Sequence, residues 1–284
     1  MVKIGNKYYF LYISIGLAVF FTLYFILRRL KQETRYKVLL TILFFNLGLH
    51  FLKLLFEPYF SDLPGSIKKI TFENICAGST IMFPFILLKR KNKLLNNYMY
   101  FIGTIGGLGA LIFPTEAFNR DPFIFDVIRF YICHINLIIV PMLCVIFKII
   151  ELDYKSCLII PVIFIFFELV IFVNELILMK SGLVEDSVTL LLDRNYRNSS
   201  FIFGPNSDFD NISWLVLMFV PKIFRRGFFF INGGVNFYWP IVWLVIPAFI
   251  YLPIFYLIIT LPFTYHNIKN NFKERKIFNK KLNL

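Results

Sequence analysis

The sequence predicts an all-α, polytopic membrane protein: a single domain over residues 1–284 in which about seven transmembrane helices form one bundle. The first observation is that 58% of the residues are hydrophobic, whereas a soluble domain has about 45–50%. The second is that these residues fall in long blocks rather than alternating along ~10-residue segments, which favours helices over outer-membrane strands. The third is that Lys and Arg are concentrated in the short segments between the blocks, as topology in a membrane requires.

Seven apolar blocks define the predicted spans. The first is followed by charged residues and lacks a small-residue cleavage site, so we interpret it as a span rather than a removable signal peptide. The spans are predicted at about 8–27, 38–56, 70–88, 98–113, 123–150, 158–178 and 237–263. Residues 179–236 are too polar to cross a membrane and are predicted to form an extracytoplasmic loop or an interfacial cap. Within them, 214–231 is expected to lie at the membrane surface as a basic amphipathic helix or to form a re-entrant cap.

The distribution of charge predicts the orientation. The net charge is +13, and the basic residues cluster in 28–37, in 89–97 and after Phe263, which lie on one side of a seven-span bundle. The opposite loop, 114–122, has only Arg120, against Glu116 and Asp121. The positive-inside rule therefore predicts an external N-terminus, a cytoplasmic C-terminus and a location in the cell membrane. Because the charge follows this topology, it does not indicate a nucleic-acid partner.

Polar residues in the third span form the first candidate site. A polar group inside hydrocarbon must face the bundle interior and find a partner there. At helical spacing one side of this span presents Glu73, Cys76, Ser79 and Thr80. The four cysteines of the chain form no CxxC pair, which argues against a disulfide framework and against a zinc site.

Three other spans carry polar residues. The second has Asn46, His50 and Lys53, followed by Glu57, in one stripe that suits either an interhelical network or a direct role in a reaction or a transport path. The fifth has Asp126 and Arg129, spaced to pair, then His134 and Asn136. The sixth has Glu168 and Glu175 on one face, and glutamates that face a bundle interior can serve as proton or cation sites. In the fourth span, Gly103 and Gly107 match the small-xxx-small pattern of closely packed helices.

Two stretches resemble the YwaF-type integral membrane family. One is 72–84, with Cys76 in a helix that ends in a proline; the other is GGLGALIFPT at 106–115, followed by RFYICH at 129–134. That family has a Cys-bearing third helix, a Gly-Gly…Leu…Pro turn ending the fourth, and a Phe-rich fifth helix with one His. The resemblance covers hydropathy and order from about Leu39 to Phe263, and specific residues from about Phe72 to Pro141.

The resemblance implies an activity. An animal relative of this family is an ether-phospholipid acyltransferase that uses a membrane Cys and a membrane His, and Cys76 and His134 occupy those two positions here. By resemblance, Cys76 takes an acyl chain from a membrane phospholipid while His134 acts as general base and then as acid. A second lipid, or a lipidated protein, accepts the chain. No soluble cofactor and no metal is implied.

The chemistry of a thioester requires further groups around that pair. Ser79 and Thr80, on the Cys76 face, are candidate donors to the oxyanion, and Glu73 is a candidate to orient the imidazole. Asp126 and Arg129, near the outer end of the fifth span, complete the supporting set.

Two alternatives stay open on the sequence. One is a non-enzymatic transporter or receptor with a polar path through the intramembrane residues Asn46, His50, Lys53, Asp126, Arg129, Glu168 and Glu175. The other is a structural membrane protein in which the polar groups only specify how the helices pack. No internal repeat is visible that would favour a transporter.

Overall fold

The computed structural model describes residues 1–185, 187–198, 200–225 and 238–282, with side chains as far as residue 269. These residues form α-helices and loops and contain no β-strand, apart from an isolated bridge between Val2 and Phe118. The all-α prediction is therefore confirmed. We number the seven longest described helices α1 (Lys7–Leu27), α2 (Gln32–Leu52), α3 (Ile75–Leu88), α4 (Lys93–Ile112), α5 (Phe125–Ile146), α6 (Ile160–Lys180) and α7 (Val242–Leu282).

Five helices of the described chain are long and apolar enough to cross a membrane. They are α1, α2 with its extension to Leu55, α5, α6 and the Val242–Lys269 part of α7. A sixth span results if the short helical stretch Leu63–Ile70 is taken together with α3. The multi-pass character is thus confirmed. The number seven, which requires α4 to cross as well, and the orientation of the termini stay predictions.

The third span is bent rather than continuous. Its two halves meet at 61°, and α3 begins at Ile75, five residues later than the predicted start of the span. The cause is Asn74, which has an extended backbone and whose side chain accepts a hydrogen bond of 2.7 Å from the Ala77 N–H. Asn at this position satisfies a free N–H of the first helical turn and so fixes the start of the helix. Glu73 consequently precedes α3 and does not share the helical face of Cys76.

Other boundaries also differ from the predicted ones. Helix α2 begins at Gln32, inside the segment 28–37 that was predicted as a linker. Helix α5 ends at Ile146, four residues before the predicted end of the fifth span. Helix α7 continues beyond Phe263, the predicted end of the last span, to Leu282.

Helix α5 lies at the centre of the bundle. In its most apolar stretch 78% of the residues are buried, compared with 11% for α1. Helix α4 packs closely along it, because a Cβ on Gly103 would lie 2.3 Å from the backbone oxygen of Leu137 and one on Gly107 would lie 2.5 Å from the side chain of Ile138. The predicted close approach at these two glycines is confirmed.

Buried polar pairs join α2 to α5 and close the N-terminal end of α5. The Asn136 side chain donates to the Asn46 side chain at 2.9 Å, and Asn46 donates to the Cys133 carbonyl at 3.1 Å. The predicted pair of Asp126 and Arg129 is present at 2.7 Å. Asp126 also accepts hydrogen bonds from two further side chains, those of Arg120 and Tyr59.

The segment after α6 folds back over the bundle. We call residues 187–198 and 200–210 the cap segment. Its apolar residues Ile202 and Phe203 pack with Ile171 of α6, and the Trp243 indole N–H donates to the Phe201 carbonyl at 2.9 Å. The expected amphipathic helix at 214–231 is not continuous, because the chain forms two short helices, Asp210–Leu217 and Lys222–Arg225, interrupted before Pro221; its part from 226 onward lies outside the described residues.

Candidate functional site

Cys76 is the second residue of α3 and faces a glycine of α4. Its Sγ lies 3.9 Å from the carbonyl oxygen of Gly106, a distance at which a thiol is a weak hydrogen-bond donor. A Cβ on Gly106 would lie 3.7 Å from the sulfur. Because the glycine has no side chain, the sulfur of Cys76 rests against bare backbone.

The N-terminus of α3 surrounds Cys76 with N–H groups. The first four N–H groups of a helix lack intrahelical acceptors. Here the Ile75 N–H donates to the Ser200 hydroxyl oxygen at 3.1 Å, while the Ala77 and Gly78 N–H groups donate to the side chain and the backbone oxygen of Asn74 at 2.7 and 2.9 Å. Within the described chain, the Cys76 N–H has no acceptor. A free N–H at the positive end of a helix can stabilise negative charge that develops beside it.

His134 lies on α5, and its two ring nitrogens have different hydrogen-bonding roles. Nδ1 is 2.7 Å from the carbonyl oxygen of Phe130. A carbonyl only accepts hydrogen bonds, so Nδ1 carries the hydrogen and Nε2 has the free lone pair. The imidazole also packs on the Phe130 ring, with centroids 4.3 Å apart. This tautomer leaves Nε2 as the nitrogen that can take a proton.

The two predicted catalytic residues, Cys76 and His134, pack against consecutive glycines of α4. Gly106 faces the thiol of Cys76, and the missing Cβ of Gly107 would lie 3.0 Å from the backbone oxygen of His134. The two residues therefore pack against the same turn of α4. Their side chains are not hydrogen-bonded to each other in the described structure; each bonds to a backbone carbonyl instead. A proton transfer between them requires the thiol to turn away from Gly106, or a water molecule between them.

Two of the predicted supporting residues, Thr80 and Glu73, have other partners. The Thr80 hydroxyl donates to the Cys76 carbonyl at 2.9 Å and is thus used inside α3. Ser79 is buried in the same turn. Glu73, which lies outside the helix, forms an ion pair of 3.0 Å with Lys69 rather than meeting the imidazole of His134.

The sequence pattern of the TMEM164 family matches residues 4–259, which is most of the chain. The protein belongs to the TMEM164 family. No curated protein and no solved structure matches it. The matched range of this TMEM164-family chain contains α1 to α6, the cap segment and the first part of α7, and so includes both Cys76 and His134.

Glu116, which the sequence did not single out for function, is an acidic residue that acts on this TMEM164-family site only electrostatically. It lies in the exposed loop after α4, and its charge acts on both Cys76 and His134. It is the one acidic charge in the described chain that acts on both. The only signal in the sequence is its position, since it follows the proline that ends the Gly-rich helix.

The cap segment of the TMEM164-family protein is fixed by ion pairs and hydrogen bonds. The Arg197 guanidinium binds both carboxylate oxygens of Glu175 at 2.9 Å, and Arg197 itself has the left-handed backbone that non-glycine residues rarely adopt (φ 46°). Arg194 binds Asp210 at 2.7 and 2.8 Å, and this hydrogen bonding lowers the pKa of the exposed Asp210 carboxyl. The Arg197 pair and Ser200 hold the cap segment against α6 and the start of α3, whereas the pair of Arg194 and Asp210 joins two parts of the cap segment to each other.

The residues of the predicted transport path differ in whether they have partners. His50 bonds to the Ile70 carbonyl at 3.1 Å, and Lys53 donates to the Lys69 carbonyl at 2.5 Å. Asn46, Asp126, Arg129 and Glu175 are paired as described above. Glu168 is the exception: neither of its carboxyl oxygens has a hydrogen-bond partner in the described chain.

The described residues contain no group of three or more His, Cys, Asp or Glu side chains that could hold a metal ion. The chemistry proposed below uses only the protein's own side chains and backbone.

Proposed function

We propose that this protein is a membrane-lipid acyltransferase in which Cys76 carries the acyl chain as a thioester, and that it belongs to the YwaF-type bacterial branch of its family. The observation that carries the proposal is the position of the thiol: it stands at the N-terminus of α3 beside its own unpaired N–H. A nucleophile in that position is next to a donor for the oxyanion.

The first half-reaction transfers the acyl chain to the enzyme. The Nε2 lone pair of His134 takes the thiol proton, and the sulfur of Cys76 attacks the ester carbonyl of a phospholipid. The negative oxygen of the tetrahedral intermediate lies within reach of the Cys76 N–H. The ester C–O bond then breaks, the departing lyso-lipid oxygen takes the proton from His134, and the acyl chain stays on sulfur.

The second half-reaction reverses these steps with another lipid. His134 takes the proton of the acceptor hydroxyl, whose oxygen attacks the thioester carbonyl. The C–S bond breaks, and the sulfur of Cys76 recovers the proton from His134. The net result moves one acyl chain between membrane lipids, without an added cofactor.

The donor that we propose for the oxyanion differs from the two candidates expected on the sequence. Ser79 and Thr80 were the candidates, but the Thr80 hydroxyl is already bonded to the Cys76 carbonyl. The backbone N–H of Cys76 is free within the described chain and is part of a rigid helix. We therefore assign the oxyanion role to this N–H.

The transporter alternative has less support. A polar path needs side chains that are available to a solute or an ion, whereas Asn46, His50 and Lys53 are each bonded within the bundle. The same holds for the pair of Asp126 and Arg129. These contacts favour a packing role for the residues of the path, with the exception of Glu168.

The proposal is tested by intact-mass spectrometry of the full-length protein purified from its native membrane. We expect a hydroxylamine-labile acyl adduct that is lost in Cys76→Ala and does not form in His134→Ala. Cys144→Ala is the matched control, because Cys144 is a buried cysteine of α5 away from the α3 terminus, and it should keep the adduct.

Rapid turnover can prevent an adduct from accumulating, so the lipid composition of the membrane is measured in parallel. If the wild type carries no adduct when phospholipid is supplied, and Cys76→Ala leaves the lipids of the membrane unchanged, the acyltransferase proposal is refuted.

A further inference from the structure

Glu168 has an environment that the proposed function does not explain. It lies in the middle of α6 and has no exposed surface. Both of its carboxyl oxygens lack a hydrogen-bond partner among the described residues. Buried polar groups are nearly always hydrogen-bonded, so an exception of this kind requires its own explanation, such as a role in catalysis or in ion binding.

The other buried acidic side chains each have a cationic partner. The buried acidic residues of the described chain are Glu73, Asp126, Glu168 and Glu175. Glu73 pairs with a lysine, and Asp126 and Glu175 each pair with an arginine. Glu168 alone has no cation. Glu175 lies seven residues further along the same helix. The two glutamates therefore share a helix, and they differ in whether a cation pairs with the side chain.

Tyr98 of α4 provides the second observation. Its ring stacks on Phe167, the residue before Glu168, with centroids 4.6 Å apart. The Tyr98 hydroxyl is buried and has no hydrogen-bond partner in the described chain either. The Glu168 carboxyl and the Tyr98 hydroxyl interact electrostatically. Two adjacent helices thus bring three unpaired oxygen atoms into one buried region.

We propose that Glu168 and Tyr98 form a proton-binding site, in which the Glu168 carboxyl holds a proton inside the bundle. An ionised carboxylate without a partner is strongly unfavourable in an apolar interior. A bound proton removes that charge and gives the carboxyl a hydrogen-bond donor of its own. The proposal does not depend on the acyltransferase function.

The surroundings favour a proton over a metal ion. The region offers three oxygen atoms from two side chains, whereas a hard cation such as Ca²⁺ takes six to eight oxygens. Besides Glu168, the titratable group that acts electrostatically on Tyr98 is Cys76 on α3. No charged side chain of the described chain acts on Glu168. A proton needs no further ligands and fits this set.

The first test is chemical modification of the full-length protein in phospholipid vesicles. Dicyclohexylcarbodiimide is an apolar reagent that reacts with protonated carboxyl groups. We expect one adduct, mapped to Glu168 by peptide mass spectrometry and absent from Glu168→Gln. Glu175 is the internal control, because both of its carboxylate oxygens are bonded to the Arg197 guanidinium, and it should stay unmodified. Modification of Glu175 and not of Glu168 would overturn the assignment.

Infrared spectroscopy gives a readout that does not require reagent access. The carbonyl stretch of a protonated carboxylic acid is separate from the bands of carboxylates. We expect such a band in the wild type at neutral and at mildly alkaline pH, its loss in Glu168→Gln and its retention in Glu175→Gln. Equal spectra of a folded Glu168→Gln and the wild type would refute the proton site.

Two further outcomes are decisive. If Glu168→Gln does not fold, Tyr98→Phe takes its place, because removal of the hydroxyl should shift the frequency of the carboxylic-acid band, and an unshifted band would contradict the paired site. If the melting temperature of the wild type instead rises with sodium or potassium and that of Glu168→Gln does not, the region binds a metal cation and the proton assignment is wrong.

Discussion

The hydroxyl oxygen of Ser200 accepts a hydrogen bond of 3.1 Å from the N–H of Ile75, the residue before Cys76. The two residues are 125 positions apart in the chain. Through this bond the cap segment supplies one of the acceptors that the N-terminus of α3 requires. The geometry around the candidate nucleophile is therefore completed by a loop that comes after α6.

We expect Ser200→Ala to loosen the start of α3. The Ile75 N–H loses its acceptor, which costs about 1 kcal/mol in the free energy of unfolding, as does the loss of a helix cap. Cys76 should then react several-fold faster with a maleimide, measured by mass spectrometry. Ser213→Ala is the control, because the Ser213 hydroxyl bonds within its own helix. An unchanged rate in Ser200→Ala would show that the cap segment does not fix α3.

Alanine at Gly103 and at Gly109 should have opposite outcomes. At Gly103 the new Cβ would meet the Leu137 backbone oxygen at 2.3 Å, whereas at Gly109 it would meet nothing within 4 Å. We expect Gly103→Ala to destabilise the protein by about 2 kcal/mol, in the range of overpacked cores, and Gly109→Ala to be neutral or slightly stabilising. Thermal unfolding in detergent measures both. Similar melting temperatures for the two variants would contradict the α4–α5 contact.

Gly106→Ala should act on the site without unfolding the protein. The added Cβ would lie 3.7 Å from the sulfur of Cys76, which is an ordinary contact distance. We expect the melting temperature to stay close to that of the wild type, while the alkylation of Cys76 slows because the methyl group restricts the thiol. Alkylation at the wild-type rate would place the reactive approach to the sulfur on another side.

Neutralising the two glutamates of α6 should give different stabilities. Glu175→Gln leaves the partly buried Arg197 without its carboxylate, and breaking such a pair costs about 3 kcal/mol. Glu168→Gln replaces an uncharged acid by an amide of the same shape and breaks no ion pair, so we expect a smaller loss of about 1 kcal/mol, from the added N–H donor. Denaturant unfolding checks both. Removing Arg197 as well, in the Glu175→Gln background, should recover part of the loss.

The pair of Arg194 and Asp210 predicts a response to acid. Because its pKa is lowered in the folded cap segment, Asp210 stabilises the fold above the ordinary aspartate pKa of about 3.9, and this contribution is lost as the pH falls further. Pepsin should therefore cleave the cap segment faster at about pH 3 than at about pH 4.5. The increase should be smaller in Arg194→Gln; an equal increase would show that the pair does not hold the cap segment.

Patterns that are local in the sequence predicted local features of the structure. The spacing of Gly103 and Gly107 correctly indicated a face that a neighbouring helix approaches closely, and the three-residue spacing of Asp126 and Arg129 correctly indicated a pair. Apolar blocks located most of the helices to within a few residues. These predictions succeeded because hydropathy and helical periodicity depend on residues that are close in the chain.

The features that were missed depend on contacts between distant residues or on a weak local signal. Ser200 carries no mark of its role, since its acceptor function exists only when the cap segment folds onto α3. The bend before α3 did have a signal, because Asn74 stands directly before the apolar run that it caps. Because the apolar run is continuous across this point, the helix was predicted to start at residue 70, and Glu73 was wrongly placed inside it.

The contrast between α1 and α5 has a consequence for biogenesis. Helix α1 is synthesised first, yet the residues it packs against, such as Tyr131 and Ile135, leave the ribosome more than a hundred residues later. Until those residues are inserted, α1 lies in the lipid without them, and its nearly continuous apolar surface is stable there. Helix α5 carries Asn136, Arg129 and His134 and enters a membrane in which α2 already presents Asn46. The chain order thus places α1, which is stable in lipid without partners, before α5, whose polar side chains need partners on other helices.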